Sequence, residues 1–129
     1  RLTAFYTLPV SPVQGDQVWV TPRVSNFANG DYWLILLEYT GAQWNITVYS
    51  VASHVRTQRI TASNIGTTNG VRLNMNGTSI SLETTADGGD NWTSRGTPAT
   101  NSTYQTATGV NVLHTSGVTP GRLVYEPVA

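Results

Sequence analysis

Apolar and polar positions along this chain follow a two-residue period, broken by turn-forming clusters about every 8–12 residues. The clearest stretch is VRLNMNGTSISLET at 71–84. Val71, Leu73, Met75, Ile80 and Leu82 share one face, and Arg72, Asn74, Ser79 and Ser81 the other. Asn76-Gly77 is the preferred pair for a type I′ turn, because both central positions need positive φ. That turn predicts a hairpin in which Met75 opposes Thr78, Leu73 opposes Ile80 and Val71 opposes Leu82. A second hairpin is predicted around Asn29-Gly30, with Val24 opposite Ile35 and Val20 near Tyr39. Its returning strand, DYWLILLEY at 31–39, is almost continuously apolar, so it should be buried on both faces near a sheet centre. The partner strand holds Pro22, which cannot donate to a ladder and so predicts an edge. WNITVYSVA at 44–52 reads as a third strand, and 54–61, 92–97, 104–113 and 122–128 as further ones. Ten or more residues with a 3.6-residue period are not found. The pattern predicts an all-β antiparallel sandwich or barrel, jelly-roll-like, of eight or nine short strands.

Residues 1–15 (RLTAFYTLPVSPVQG) carry two prolines and end in Gly. They read as a linker or arm, packed through Phe5 and Tyr6, ahead of a single domain at 16–129. In a simple meander, loops near 28–31, 52–54, 76–77 and 98–103 would share one end, and those near 40–43, 62–70, 85–91 and 115–121 the other. The second set is longer and richer in Gly, Asn and Asp, which makes it the expected binding end. Greek-key crossings would scramble this partition.

Composition sharpens the fold and narrows the function. The 129 residues are 39% hydrophobic and 11% charged, so one core is expected and disorder is not. Seven Arg balance seven acids, which argues against a nucleic-acid or anionic-membrane surface. Cys is absent, excluding disulfides and thiolate metal sites, and Lys is absent too. Thr, the commonest residue with 20 copies, favours strands, whereas Asn and Ser favour turns. No apolar run is long enough for a transmembrane helix, and no signal peptide is seen. The first residue is Arg rather than Met, which suggests a piece of a longer polypeptide.

The candidate chemistry is sparse. His54 and His114 are the only histidines, without metal-ligand spacing, so hydrogen-bonding roles are expected. No GxSxG occurs. Among the carboxylates, only Glu38 sits in a strongly apolar strand, where burial could raise its pKa. No enzymatic activity, catalytic residue, cofactor or metal is therefore expected. TADGGDNW at 85–92 resembles the Asp-box of sialidases, Ser/Thr-x-Asp-x-Gly-x-Thr-Trp. Thr85, Asp87, Gly89 and Trp92 match, and Asn91 departs from the Thr. The likeness implies a structural turn in which the Asp accepts from backbone N–H groups while the Trp packs beneath. Calcium at Asp87 and Asp90 is the weaker alternative, because two carboxylates lack the spacing of a calcium loop. Of Trp19, Trp33, Trp44 and Trp92, Trp33 should be core. Trp44 and Trp92 start strands after polar loops, where core packing is the favoured reading and an aromatic face that suits a sugar, flanked by Asn, Asp and Arg, is the alternative. The expected contact set is Asp87, Asp90, Asn91, Trp92 and Arg95, with Asn69 and Trp44 nearby if the meander holds. Four N-x-Ser/Thr sequons, at Asn45, Asn76, Asn91 and Asn101, stand against about two expected by chance, a slight pointer to secretion.

In overall character the chain resembles the protruding or spike domains of non-enveloped virus capsid proteins. The features that carry the likeness are the LPVSPVQG arm and the richness in Thr, Asn, Ser and Gly. DYWLILLEY is similar to the opening strand of the galectin-like head of the rotavirus spike, and WTSRGTP and VLHTSGVTPG have a similar polar texture. The resemblance implies a jelly-roll-like or galectin-like sandwich at the virion surface, exposed to antibodies. It further implies a dimer or trimer attached to a cell-surface glycan or protein receptor. The competing reading is a carbohydrate-binding module of a secreted enzyme, and a third is a purely structural adhesin or fibre domain.

Overall fold

The computed structural model describes residues 1–104, 107, 109–114 and 118–125. Ten strands follow one another: β1 (Leu2–Thr7), β2 (Gln17–Val24), β3 (Tyr32–Tyr39), β4 (Trp44–Ala52), β5 (Val55–Ala62), β6 (Gly70–Asn76), β7 (Ser79–Thr85), β8 (Thr93–Thr100), β9 (Gly109–His114) and β10 (Thr119–Tyr125). They form two antiparallel sheets, in the orders β10-β1-β6-β7-β8 and β5-β4-β3-β2-β9. The sheets pack face to face as a sandwich and do not close into a barrel.

Alternation explains the packing. Leu2, Ala4 and Tyr6 of β1, Val71, Leu73 and Met75 of β6, and Ile80 and Leu82 of β7 line the inner face of one sheet. Val18 and Val20, Trp33, Ile35 and Leu37, and Ile46 and Val48 answer them from the other. Trp33 is fully buried, and its indole N–H is satisfied by donating to the Thr103 carbonyl at 2.7 Å. β3 is the middle strand of its sheet, and Tyr32 to Leu37 are all buried. The outward-facing Leu34 and Leu36 are covered on their own surface by Trp19 and Tyr49. The Arg56 guanidinium lies 4.8 Å from the Trp19 ring and 5.5 Å from the Tyr49 ring, a cation–π lid over that apolar strip.

Three expectations are corrected. Residues 2–7 are not arm: β1 is hydrogen-bonded on both sides, to β10 and β6, and buries three apolar side chains in the core. The prolines that suggested a linker, Pro9 and Pro12, lie beyond it in the β1–β2 connection. β2 is not an edge, because β9 pairs along its far side, and a register shift between Thr21 and Val24 accommodates Pro22. The 71–84 hairpin keeps its predicted faces but pairs Met75 with Ile80, Leu73 with Leu82 and Val71 with Thr84. Gly77 and Thr78 form the loop, with positive φ at Gly77 and not at Thr78, the pattern of a type II′ turn. The β2–β3 hairpin likewise pairs Val20 with Ile35 around a longer loop. Strand β4 spans the predicted 44–52. Residues 126–128 of the last predicted strand, Glu126 among them, lie outside the described residues, as does the side chain of His114.

The chain is not a plain meander, since it crosses between sheets after β1, β5, β8 and β9. Among the described residues the loops nonetheless sort by end as expected, residues 115–117 of the expected 115–121 loop lying outside them. Ile65 donates its N–H to the Trp44 carbonyl and Asn69 to that of Thr85, gathering the 40–43, 63–69 and 86–92 connections at one end. At the other end His54 donates to Gly30 and Asn101 to Thr78.

Candidate functional site

The β7–β8 loop is built by side chains that stand in for backbone partners. Asp87 Oδ1 accepts from the Thr85 hydroxyl at 2.8 Å and from the Asn91 N–H at 2.9 Å, and Oδ2 accepts from Asn91 Nδ2 at 2.8 Å. The Thr85 hydroxyl in turn accepts from Gly89 N–H at 3.0 Å. These bonds, led by the one from the Asn91 backbone, hold the Asp87 carboxyl at a pKa of about 2. Asn91, where the Asp-box has Thr, supplies the second of them through its side chain. From the neighbouring loop, Asn69 Oδ1 accepts the Gly88 N–H at 3.1 Å, and Nδ2 reaches the Ala86 carbonyl at 3.4 Å.

Trp92 leaves this loop onto the outer face of the β1–β6–β7 sheet. Its ring packs on Phe5 with centroids 6.2 Å apart and planes tilted by 56°. The Arg72 guanidinium lies 4.2 Å from the Trp92 centroid. Phe5 can lie flat here because its partner across β6 is Gly70, where a Cβ would stand 3.0 Å from the ring. Arg72 Nε and Nη2 meet Glu83 Oε1 and Oε2 at 3.2 and 2.8 Å, a bidentate pair, and Asn74 Nδ2 donates to the same carboxylate. The Arg72 hydrogen bonds hold Glu83 below the usual carboxylate range, so it stays ionised. Phe5, Trp92, Arg72, Arg1, Thr3 and Val124 wall an open pocket of about 210 Å³, floored by Gly88 and Gly89.

The expected contact residues therefore divide. Asp87, Asn91 and Asn69 meet within one loop, but mainly as its scaffold. Trp92 alone of the set lines the pocket. Asp90 is exposed on the loop. Trp44 is corrected to a core residue: it is only 4% exposed and packs on Tyr39 at 5.3 Å. Arg95 stands apart as well, because it pairs with inward-facing Leu82 and donates to the Thr84 hydroxyl and the Ile65 carbonyl between the sheets. Phe5, Arg72, Arg1 and Thr3 are the residues that sequence reasoning missed. Arg72 had a signal, since the alternating hairpin already pointed it outward. β1 had none strong enough to set against the prolines that follow it.

No family model matches the chain, and no curated protein or solved structure matches it. The site must therefore be read from its own chemistry. Among the described residues, no three of His, Cys, Asp and Glu gather as a metal site. His54 is exposed, in a turn where it and Ser53 both have positive φ (66° and 50°), and Glu38 accepts from Gln17 Nε2. These two stand on different elements, neither beside the pocket. The pocket brings aromatic walls together with the Thr3 hydroxyl and the Arg1 and Arg72 guanidinium groups.

Proposed function

We propose that this domain is an attachment head: a protruding or spike domain of a non-enveloped virus capsid protein that holds a host-cell receptor by non-covalent contact, the receptor being a glycan. The observation that carries the reading is the open pocket of about 210 Å³ between Phe5 and Trp92. Aromatic rings offer a surface for the C–H face of a sugar, while Arg72 and Thr3 supply groups for its hydroxyls. A doubly hydrogen-bonded β scaffold holds these groups still, so little ordering is needed on binding. The domain works as a dimer or trimer on the virion surface, where multivalency raises a weak single-site affinity. A carbohydrate-binding module of a secreted enzyme would use the same pocket and act as a monomer.

Glycan-array screening of the purified chain, combined with sedimentation, tests the proposal. Binding to at least one glycan by a dimer or trimer is expected. A monomer at high concentration that binds neither glycans nor cells overturns it. Turnover of a substrate lost on replacing His54 or Glu38 overturns it too.

A further inference from the structure

We infer that the outer face of the β5-β4-β3-β2-β9 sheet docks a second copy of this chain, making a twofold dimer. Strands with one face toward water normally alternate apolar-in with polar-out. The outer positions of β6 and β7 keep that rule, with Arg72, Asn74, Ser81 and Glu83. Those of β3 and β4 break it. The register sets Tyr32 beside Val51 and Leu34 beside Tyr49, with Leu36 next along β3. Phe27 lengthens this strip, 38% exposed and stacked on Tyr32 with centroids 5.3 Å apart. Leu34 and Leu36 are buried, whereas the Trp19 and Tyr49 rings that cover them are only half-buried. Large rings left half in water over an apolar strip mark a surface suited to docking.

Charge says what docks there. Arg56 stands opposite Val51, and Glu38 stands at the far end of β3, opposite Asn45 and Gln17. Between them on β3 and β4 lie Leu34, Leu36, Thr47 and Tyr49, none of them charged. Arg56 rests its guanidinium on Trp19 and Tyr49, Glu38 accepts from Gln17, and no ion pair joins the two among the described residues. Gln17 also accepts the Trp19 indole N–H at 2.9 Å, so acid, amide and ring are held as one set. A face with one cation and one anion set apart is its own complement. A twofold axis lying in the face, across the line that joins them, puts Arg56 of each copy against Glu38 of the other. A partner of a single sign would meet a like charge at one of the two places. The formal net charge of zero sets no long-range repulsion against self-association. The Phe5–Trp92 pocket lies on the other sheet, so docking leaves both pockets open. The inference narrows the oligomer of the attachment reading to a twofold dimer and does not depend on the ligand.

Sedimentation equilibrium of the full chain tests it, with a dimer expected. Glu38→Arg and Arg56→Glu each set like charges against one another and should raise the dissociation constant at least about tenfold. The double exchange E38R/R56E should bring it back to within about threefold of the wild type. Melting curves by circular dichroism show whether each variant is folded. Dilution of the ¹⁵N-labelled wild type needs no variant, and it should move the Trp19 indole N–H and leave that of Trp92 in place. A monomer that binds glycans overturns the dimer while the attachment reading stands, and a monomer that binds neither glycans nor cells overturns both. A trimer overturns the twofold arrangement. Folded single variants that still dimerise as the wild type does, a folded double exchange no better than the singles, or a dilution shift at Trp92 in place of Trp19 overturns this face.

Discussion

Asp87 organises the β7–β8 loop as a charged acceptor, and acid should therefore loosen the loop. Its folded pKa of about 2 lies below the unfolded value of 3.8. A depressed carboxylate contributes stability that is complete above the unfolded value and is lost as pH falls through the folded one. Melting temperature should thus fall between about pH 4 and pH 2 in the wild type, and Asp87→Asn should flatten that limb in a calorimetric pH series. This residue was legible because the Asp-box spacing describes a local hydrogen-bond pattern, and local patterns survive in sequence. Trp44 was legible as a choice between core and contact, with core favoured, and its packing on Tyr39 settles it as core. Arg23 was hidden. It is 7% exposed at a φ of 49° and reaches from the β2 irregularity to the Gly77 carbonyl at 3.3 Å, bridging the two sheets. Arg23→Ala should lower stability by about 2 kcal/mol in urea unfolding.

At the level of elements, hydrophobic alternation placed the faces of β6 and β7 correctly, because a two-residue period is insensitive to a register change of two. Turn position was less legible. Asn76-Gly77 and Gly77-Thr78 are both good turn pairs, and the choice rests with the strands either side of the hairpin. β6 pairs with β1, and β7 with β8, neither of which is local to the turn. The edges carry their own signature: Pro98 lies in β8 and Arg56 and Arg59 in β5, features that discourage pairing with another chain. These two edges lean together at Gly96, whose φ is +66° and where a Cβ would stand 2.6 Å from Ile60 Cγ2 and 2.8 Å from the Thr61 carbonyl oxygen. Gly96→Ala should cost more than about 2 kcal/mol and free the β5 amides to hydrogen exchange. Asn69→Ala should instead act locally. Faster exchange is expected at the Gly88 amide, with only about 1 kcal/mol lost overall.

For the whole molecule, the sandwich and the sorting of long loops to one end were legible, since both follow from strand count and loop composition. The strand order was not, because β1, β9 and β10 are joined to their sheets by contacts far apart in sequence. A domain cut at residue 16, where the arm seemed to end, would lose Leu2, Ala4 and Tyr6 from the core and separate β10 from β6. Circular dichroism of that truncation should show loss of the β signal or of its cooperative melt. The pairing of Leu2 with Tyr125 has a mechanical side as well. A load applied through those two positions would part β1 from β10 one hydrogen bond at a time, like a zipper, whereas a load between Leu2 and Gly70, at opposite ends of the antiparallel pair, would shear β1 along β6. An optical-trap experiment with handles at the first pair of sites should yield at clearly lower force than one with handles at the second. Tethering geometry would then decide how hard this small sandwich can be pulled before it opens.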